Sequence, residues 1–413
     1  MHAGDLSPFS AGSNWKAYHS RRRQDSHEQA KLAADAESFP PVMDHPLVAQ
    51  NDPEVVIDSA ALVQVIDQLR ETGQFGYDSE FIGELSYFPK SCVIQVATFD
   101  RVILIDALAG LDLKPFWELL ADPKVEKIVH CGIQDLEPVV RHLGRPPSAV
   151  HDTQLAATFL GWPYPSGLGR LVESLLDGDL GPESKFSQWD HRPLTPTQVQ
   201  YAANDVRYLP LLLRIINERL EPTANAPWAK EECQSLCELA TYQFDVVSQR
   251  QRMRQVELLN GIQVAVLDAL LLWRDQTAQE LDVPPRTFVK DRMLFLLAKR
   301  QVKSPSQLRE IVGLPRRVKR VYGESIFELV NKELGRVDSE SDHALDPYSY
   351  KSRIVKVWAA VKQRCQDRLI DPALVTNKRE VAQYVREVAA GHAPSSTRLT
   401  RGWRRELLES VLP

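Results

Sequence analysis

Five cysteines in 413 residues are too few, too scattered and odd in number to form a disulfide framework. Cys233 and Cys237 stand four apart, as on one helical turn, and with no second pair nearby they do not make a zinc site. No apolar run approaches the roughly 18 residues that a membrane span needs. The N-terminus lacks the apolar core of a secretory signal. There is no G-x4-G-K-[ST] phosphate loop, so the chain carries no helicase motor of its own. The expectation from these absences is a reducing, cytoplasmic setting with no membrane.

What is present is an ordinary globular composition, 43% hydrophobic and 25% charged, at a length that allows two or three folded units. The net charge of −5 hides an asymmetry. Residues 54–222 hold 14 Lys+Arg against 24 Asp+Glu, a net of −10. Residues 250–335 hold 16 against 10 and residues 345–413 hold 13 against 7, +6 in each case. An acidic unit joined to two basic ones suggests that the first holds cations and the others a polyanion.

The pattern along the chain divides it further. Residues 1–50 are polar, with a basic cluster at Arg21-Arg22-Arg23 and a short helical stretch near Glu28–Glu37, and are expected to be a flexible extension. Residues 51–222 alternate strand and helix: strands at 55–57, 75–81, 91–98, 101–106 and 127–130, and helices at 60–71, 113–121, 134–143, 153–160, 168–176 and 196–219. Ser59 is the expected cap of the first helix. The three consecutive strands from 75 to 106 predict a meander, hence a mixed sheet. Residues 223–250 read as a helical connector. Apolar residues at helical spacing from Leu258 to Trp273 open an all-helical unit over 251–335. A polar linker, 336–347, leads to a second helical unit, 348–413, that ends in a basic run with Arg398, Arg401, Arg404 and Arg405.

The chemistry centres on Phe75-Gly76-Tyr77-Asp78-Ser79-Glu80-Phe81. Residues two apart on a strand share a face, so both carboxylates project together and repel unless a cation sits between them. A hard divalent ion with oxygen ligands resolves that repulsion. The plain alternative is an exposed strand with two solvated acids. Asp135 falls in a first helical turn just after the strand ending at His130, where an acid also suits the helix dipole. Tyr201 and Asp205 are i and i+4 on a helix and share a face, as a surface pair or as two groups looking into a cleft. The loop Lys185 to Leu194 mixes aromatic, basic and amide groups that can stack on bases and contact phosphates.

In order and context, Asp78-Ser79-Glu80-Phe81, His130-x4-Asp135 and Tyr201-x3-Asp205 resemble the three motifs of the DEDD superfamily of 3′–5′ exonucleases, in its tyrosine-containing branch. The stretch Tyr87-Phe88-Pro89-Lys90 with Cys92-Val93-Ile94-Gln95, the run Gln200 to Leu209, and Trp189-x2-Arg192-Pro193-Leu194 are similar to the bacterial ribonuclease D family. The bundle at about 252–335 resembles an HRDC domain, and 348–413 would be a second, divergent copy. The resemblance implies an α/β ribonuclease-H-like exonuclease domain with a mixed sheet, followed by one or two all-α HRDC-type bundles. It implies hydrolysis of RNA from the 3′ end to 5′-mononucleotides, in transfer RNA maturation, with two divalent ions, Mg²⁺ or in its place Mn²⁺. Asp78, Glu80, Asp135 and Asp205 would hold the ions, with Asp78 bridging them, and Tyr201 would orient the attacking water. Phe81, Gln95, His130, Trp189 and Arg192 would bind the substrate. The expected partner is RNA with a single-stranded 3′ end, and the expected state a monomer. The alternatives are a DNA exonuclease of the helicase-associated type and a non-catalytic nucleic-acid-binding scaffold.

Overall fold

The computed structural model describes residues 39–182, 188–336, 350–389, 391 and 398–412. The Arg21–Arg23 cluster, most of the 336–347 linker and residues 185–187 of the aromatic loop lie outside them.

The first unit is built on six strands: β1 (Glu54–Val56), β2 (Gln74–Ile82), β3 (Lys90–Ala97), β4 (Val102–Asp106), β5 (Glu126–Val129) and β6 (Val150–Asp152). Their order across the sheet is β1-β4-β3-β2-β5-β6. β2, β3 and β4 pair antiparallel, as the meander predicts, while β1, β5 and β6 add in parallel. β3 and β4 are buried almost throughout because helices cover both faces, which removes the alternation a half-exposed strand would show. Strand β6 was not expected: three residues are too few to leave a periodic signal.

One face carries α1 (Ser59–Thr72) and α2 (Lys114–Leu120), packed on Phe75, Tyr77, Ile94 and Val96. The cap of α1 is Asp58 rather than Ser59, its carboxylate accepting from the Ala60 and Ala61 amides. After β5 the chain turns through Cys131 (φ 60°) and Gly132 into α3 (Ile133–Leu143). A Cβ at Gly132 would stand 2.5 Å from that of Val129, so this turn needs glycine. Then come α4 (Thr153–Thr158) and α5 (Leu168–Leu176).

The other face of the sheet is covered by α6 (Pro196–Arg207), opened by a reciprocal cap between Thr195 and Gln198. The single helix expected over 196–219 is two, α6 and α7 (Leu209–Leu220), parted at Tyr208. Pro210 explains the break, since it lacks an N–H and crowds the turn before it.

The extension expected over 1–50 ends earlier than that boundary. Val48 and Ala49 are buried, the Met43 amide donates to the Tyr208 hydroxyl, and the Arg207 guanidinium bonds the Ala49 carbonyl. This segment therefore belongs to the first unit.

The connector contains α8 (Ala226–Gln234) and α9 (Val246–Arg252). Six helices follow, α10 (Gly261–Glu280), α11 (Pro285–Phe288), α12 (Asp291–Arg300), α13 (Pro305–Glu310), α14 (Arg316–Val321) and α15 (Gly323–Arg336), around a core of their own that includes Leu267, Leu270, Leu294, Leu297 and Ile326. The last unit, α16 (Lys351–Asp367), α17 (Pro372–Val375), α18 (Lys378–Ala389) and α19 (Gly402–Leu408), is different. Its Val361, Val381 and Trp403 join the core of the α/β unit. Trp403 stacks on Trp228 of α8, and the Arg404 guanidinium forks onto the Glu232 carboxylate with both bonds at 2.7 Å. No described helix is long and apolar enough to cross a membrane.

Candidate active site

The site lies where α6 crosses β2. Gly76 permits the crossing: a Cβ there would meet the Val206 carbonyl at 3.0 Å and the Leu209 Cβ at 3.1 Å. Glycine inside a strand marks such close backbone approach. Asp78 follows two residues later on the same face, and Asp205 precedes Val206, so the approach brings their carboxylates together. One carboxylate oxygen from each of Asp78, Glu80 and Asp205 lies within 4.8 Å of the other two.

Asp135 joins from the edge of the sheet. β5 pairs with β2 only over Gln74–Gly76, and beyond it Asp135, at the start of α3, reaches Tyr77 and Ser79. The Ser79 hydroxyl donates to Asp135 Oδ1 at 2.6 Å, and the Tyr77 hydroxyl donates to the Asp135 carbonyl at 2.6 Å. Asp135 is thus held from the opposite side of β2 by the two residues that flank Asp78. Nothing in the spacing of the acids announced Ser79 as their organiser; alternation along the strand would have.

The electrostatics are those of an anion cluster. Burial raises the Asp78 carboxyl well above the usual range, and Asp135, Asp205 and Glu80 raise it further. Burial, then Asp205 and Asp135, push Glu80 up to about 9. Asp135 is also pushed up by burial, to about 6, and the Ser79 hydroxyl limits the rise. The charges acting on Asp78 and Glu80 are all carboxylates. Tyr201 bonds Asp205 through its hydroxyl; burial, Asp205 and Glu80 drive its titration upward, so the phenol stays protonated.

A cleft of roughly 560 Å³ opens over Asp78, Tyr201 and Asp205. Its far wall is the start of α5 and the turn Gly178–Pro182, which Phe39 and Pro40 back at Gly181. Sequence reasoning did not single out this wall.

The five residues expected to bind substrate fall in different places. Phe81 is half-buried just past a bulge between Glu80 and Phe81, paired with Ser91, and does not line the cleft. Gln95 lies directly across from Asp78 in the ladder, fully buried, and neither amide atom has a hydrogen-bond partner in the protein. His130 borders the cleft but both ring nitrogens are engaged, Nε2 with the Ser166 carbonyl and Nδ1 with Thr153 Oγ1, each at 2.9 Å. A carbonyl can only accept, so Nε2 carries the proton, and burial keeps the ring neutral. Trp189 is 3% exposed and packs beneath Tyr201, with ring centres 6.1 Å apart. Arg192 places all five N–H groups inside the protein: two on Asp106 at 2.6 Å, and three on the carbonyls of Trp189, His191 and Cys92 at 2.8 Å. Trp189 and Arg192 therefore support Tyr201 from behind rather than facing the cleft.

The chain is similar to known proteins in sequence and fold. A family model described as 3′–5′ exonuclease matches residues 53–221, and an HRDC domain model matches 263–330. A ribonuclease D of Pseudomonas paraeruginosa is 32% identical over 369 residues, 87% of this chain and 97% of that protein. One of Gluconacetobacter diazotrophicus is 30% identical over 360 residues, 86% and 90% of the two. The chain belongs to the ribonuclease D family. The crystal structure of Escherichia coli RNase D, an exoribonuclease involved in structured RNA processing, matches with a TM-score of 0.72 at 25% identity, over 88% of this chain and 98% of that one. The expected fold class is borne out, an exonuclease domain with a mixed sheet followed by helical units that include an HRDC domain. These exonucleases use a divalent metal, and the donor set here fits one. Hard carboxylate oxygens converge, neighbouring carboxylates raise the pKa of Asp78 and Glu80, and an unpartnered buried amide lies alongside them.

Proposed function

We propose that this ribonuclease D family member trims structured RNAs, transfer RNA precursors among them, from a single-stranded 3′ end to release 5′-mononucleotides, as a monomer in the cytoplasm. The observation that carries the reading is the convergence of Asp78, Glu80 and Asp205 within 4.8 Å, with the Tyr201 hydroxyl on Asp205. One chain supplies every group named.

Two divalent ions, Mg²⁺ or Mn²⁺, would be held by Asp78, Glu80 and Asp205, with Asp135 assisting. Bound divalent ions supply Lewis acidity at a phosphodiester and make water a nucleophile near neutral pH. The protein's own contribution is placement. Ser79 holds Asp135, Gly76 lets α6 set Asp205 against Asp78, and Tyr201 stays protonated. Its hydroxyl is a hydrogen-bonding group that orients water rather than a base that removes its proton. The cleft beside these groups admits one strand end, and the basic HRDC unit offers charge to the body of the RNA.

A denaturing gel with a 3′-tailed RNA tests this. Mg²⁺ should release mononucleotides from the 3′ end, and Asp78→Ala should abolish release. Faster cleavage of a matched DNA strand would favour the DNA-exonuclease reading instead.

A further inference from the structure

The loop between β2 and β3 links the strand that carries Asp78 and Glu80 to the HRDC unit. The Tyr87 ring packs on the edge of the HRDC core, and its hydroxyl donates to Asp275 Oδ1 at 2.8 Å. Gln279 Nε2 donates to both, at 3.0 Å to Tyr87 and 2.8 Å to Asp275. The backbone amides of Tyr87 and Phe88 donate to Asp282 Oδ1 at 3.0 and 3.3 Å. Asp275 is buried, so losing the Tyr87 hydroxyl would leave a buried carboxylate short of a donor.

The other side of the loop is held by the helix of Asp135. Phe88 meets Tyr87 edge-on at 4.7 Å, the Arg141 guanidinium lies 5.2 Å over the Phe88 ring, and Arg141 donates to the Pro89 carbonyl at 3.2 Å. Arg141 stands on α3, whose first turn carries Asp135. The loop is thus clamped between the HRDC unit and α3.

This clamp matters because of where β2 lacks support. Among the described residues, β2 pairs with β5 only up to Gly76, so Asp78 and Glu80 have β3 as their one ladder neighbour. The ladder is further interrupted by the bulge at Glu80/Phe81, after which only Phe81 and Ile82 still pair with β3 before the loop. A one-sided, bulged strand end is fixed by what holds its loop.

We propose that the HRDC unit is a positioning element for the exonuclease reaction itself, acting through Tyr87 and Asp282 on the strand of Asp78 and Glu80. It would do so in addition to any grip it has on RNA. This rests on the exonuclease reading above.

The test uses the full chain and a single-stranded RNA tetranucleotide, with Tyr87→Phe, Tyr87→Ala and Asp282→Ala. The expected result is a fall in kcat of about 5- to 20-fold for Tyr87→Ala and Asp282→Ala, and about 2- to 4-fold for Tyr87→Phe, with KM within about twofold. The Mn²⁺ concentration for half-maximal rate should rise about 3- to 10-fold in the two alanine variants, a change that lost RNA grip would not produce. If Tyr87→Ala fails to fold, Tyr87→Phe, which deletes one hydroxyl, carries the same test. Unchanged kcat and metal dependence on the tetranucleotide, with losses confined to folded RNA, would overturn the coupling alone. A wild-type chain inert on the tetranucleotide with either metal would overturn the exonuclease reading and the coupling with it.

Discussion

Gly76 of β2 lies so close to α6 that a Cβ on it would stand 3.0 Å from the Val206 carbonyl oxygen. That approach sets the distance between Asp78 and Asp205. Gly76→Ala should move α6 outward by a few tenths of an ångström and cut kcat about tenfold or more, since small misplacement of reacting groups is costly. Urea unfolding should show a smaller effect, a loss of about 1–3 kcal/mol from overpacking. An unchanged kcat would mean that α6 does not set the site.

The metal-free cluster should make stability depend on pH. Glu80 is pushed up to about 9 from an ordinary carboxylate value of 4.5, so the folded state keeps a proton that the unfolded chain releases. That contribution is fully present below about pH 4.5 and is lost as pH rises through 9. In EDTA, Tm should therefore fall between pH 5 and pH 9 more steeply in the wild type than in Glu80→Gln. Mg²⁺ should flatten the wild-type slope by offsetting the carboxylate charge. Differential scanning calorimetry with equal slopes for the two proteins would contradict the mutual repulsion.

Tyr201→Phe isolates the hydroxyl on Asp205 and leaves the ring on Trp189. If the hydroxyl orients water, kcat should fall about 10²-fold while metal affinity and Tm hold. Single-turnover release of a 3′-labelled nucleotide measures it. A loss under about threefold would remove Tyr201 from the reaction.

Arg192 tests a supporting role. Its fork onto Asp106 and its three carbonyl bonds tie the Trp189 loop to β3 and β4. Arg192→Lys keeps the charge but not the planar fork. It should cost about 2–4 kcal/mol in urea unfolding, because Asp106 and several carbonyls lose buried partners. An Arg192→Lys variant of full stability with weakened RNA binding would instead restore Arg192 to the substrate.

The last helical unit is expected to stabilise the catalytic one. Trp403 is buried against Trp228 and Phe159. Trp403→Ala should lower the stability of the whole α/β unit by about 3–5 kcal/mol. Truncation before residue 350 should give aggregation rather than a clean loss of RNA affinity, so charge alone understates this unit's role. Calorimetry showing two independent transitions, with the first unit unaffected, would count against a shared core.

The sequence by itself determined the chemistry that can occur here. Alternation along a strand puts Asp78 and Glu80 on one face, and helical spacing puts Tyr201 beside Asp205. Those are consequences of local geometry, which two or four residues suffice to specify. The meander of β2, β3 and β4 was legible for the same reason, since short connections leave few choices of partner.

Only the tertiary structure decided which aromatic and basic groups meet solvent. Trp189 and Arg192 have the composition of an RNA contact, yet Arg192 is tied to Asp106 and Cys92, 86 and 100 positions earlier, and Trp189 is buried beneath Tyr201. It also decided that the third unit shares a core with the first, and that Tyr87 docks on a domain nearly 190 residues away. Local pattern records what a residue can do. Whether it faces a cleft or a core depends on which distant surface excludes water from it, and that follows from packing the whole chain.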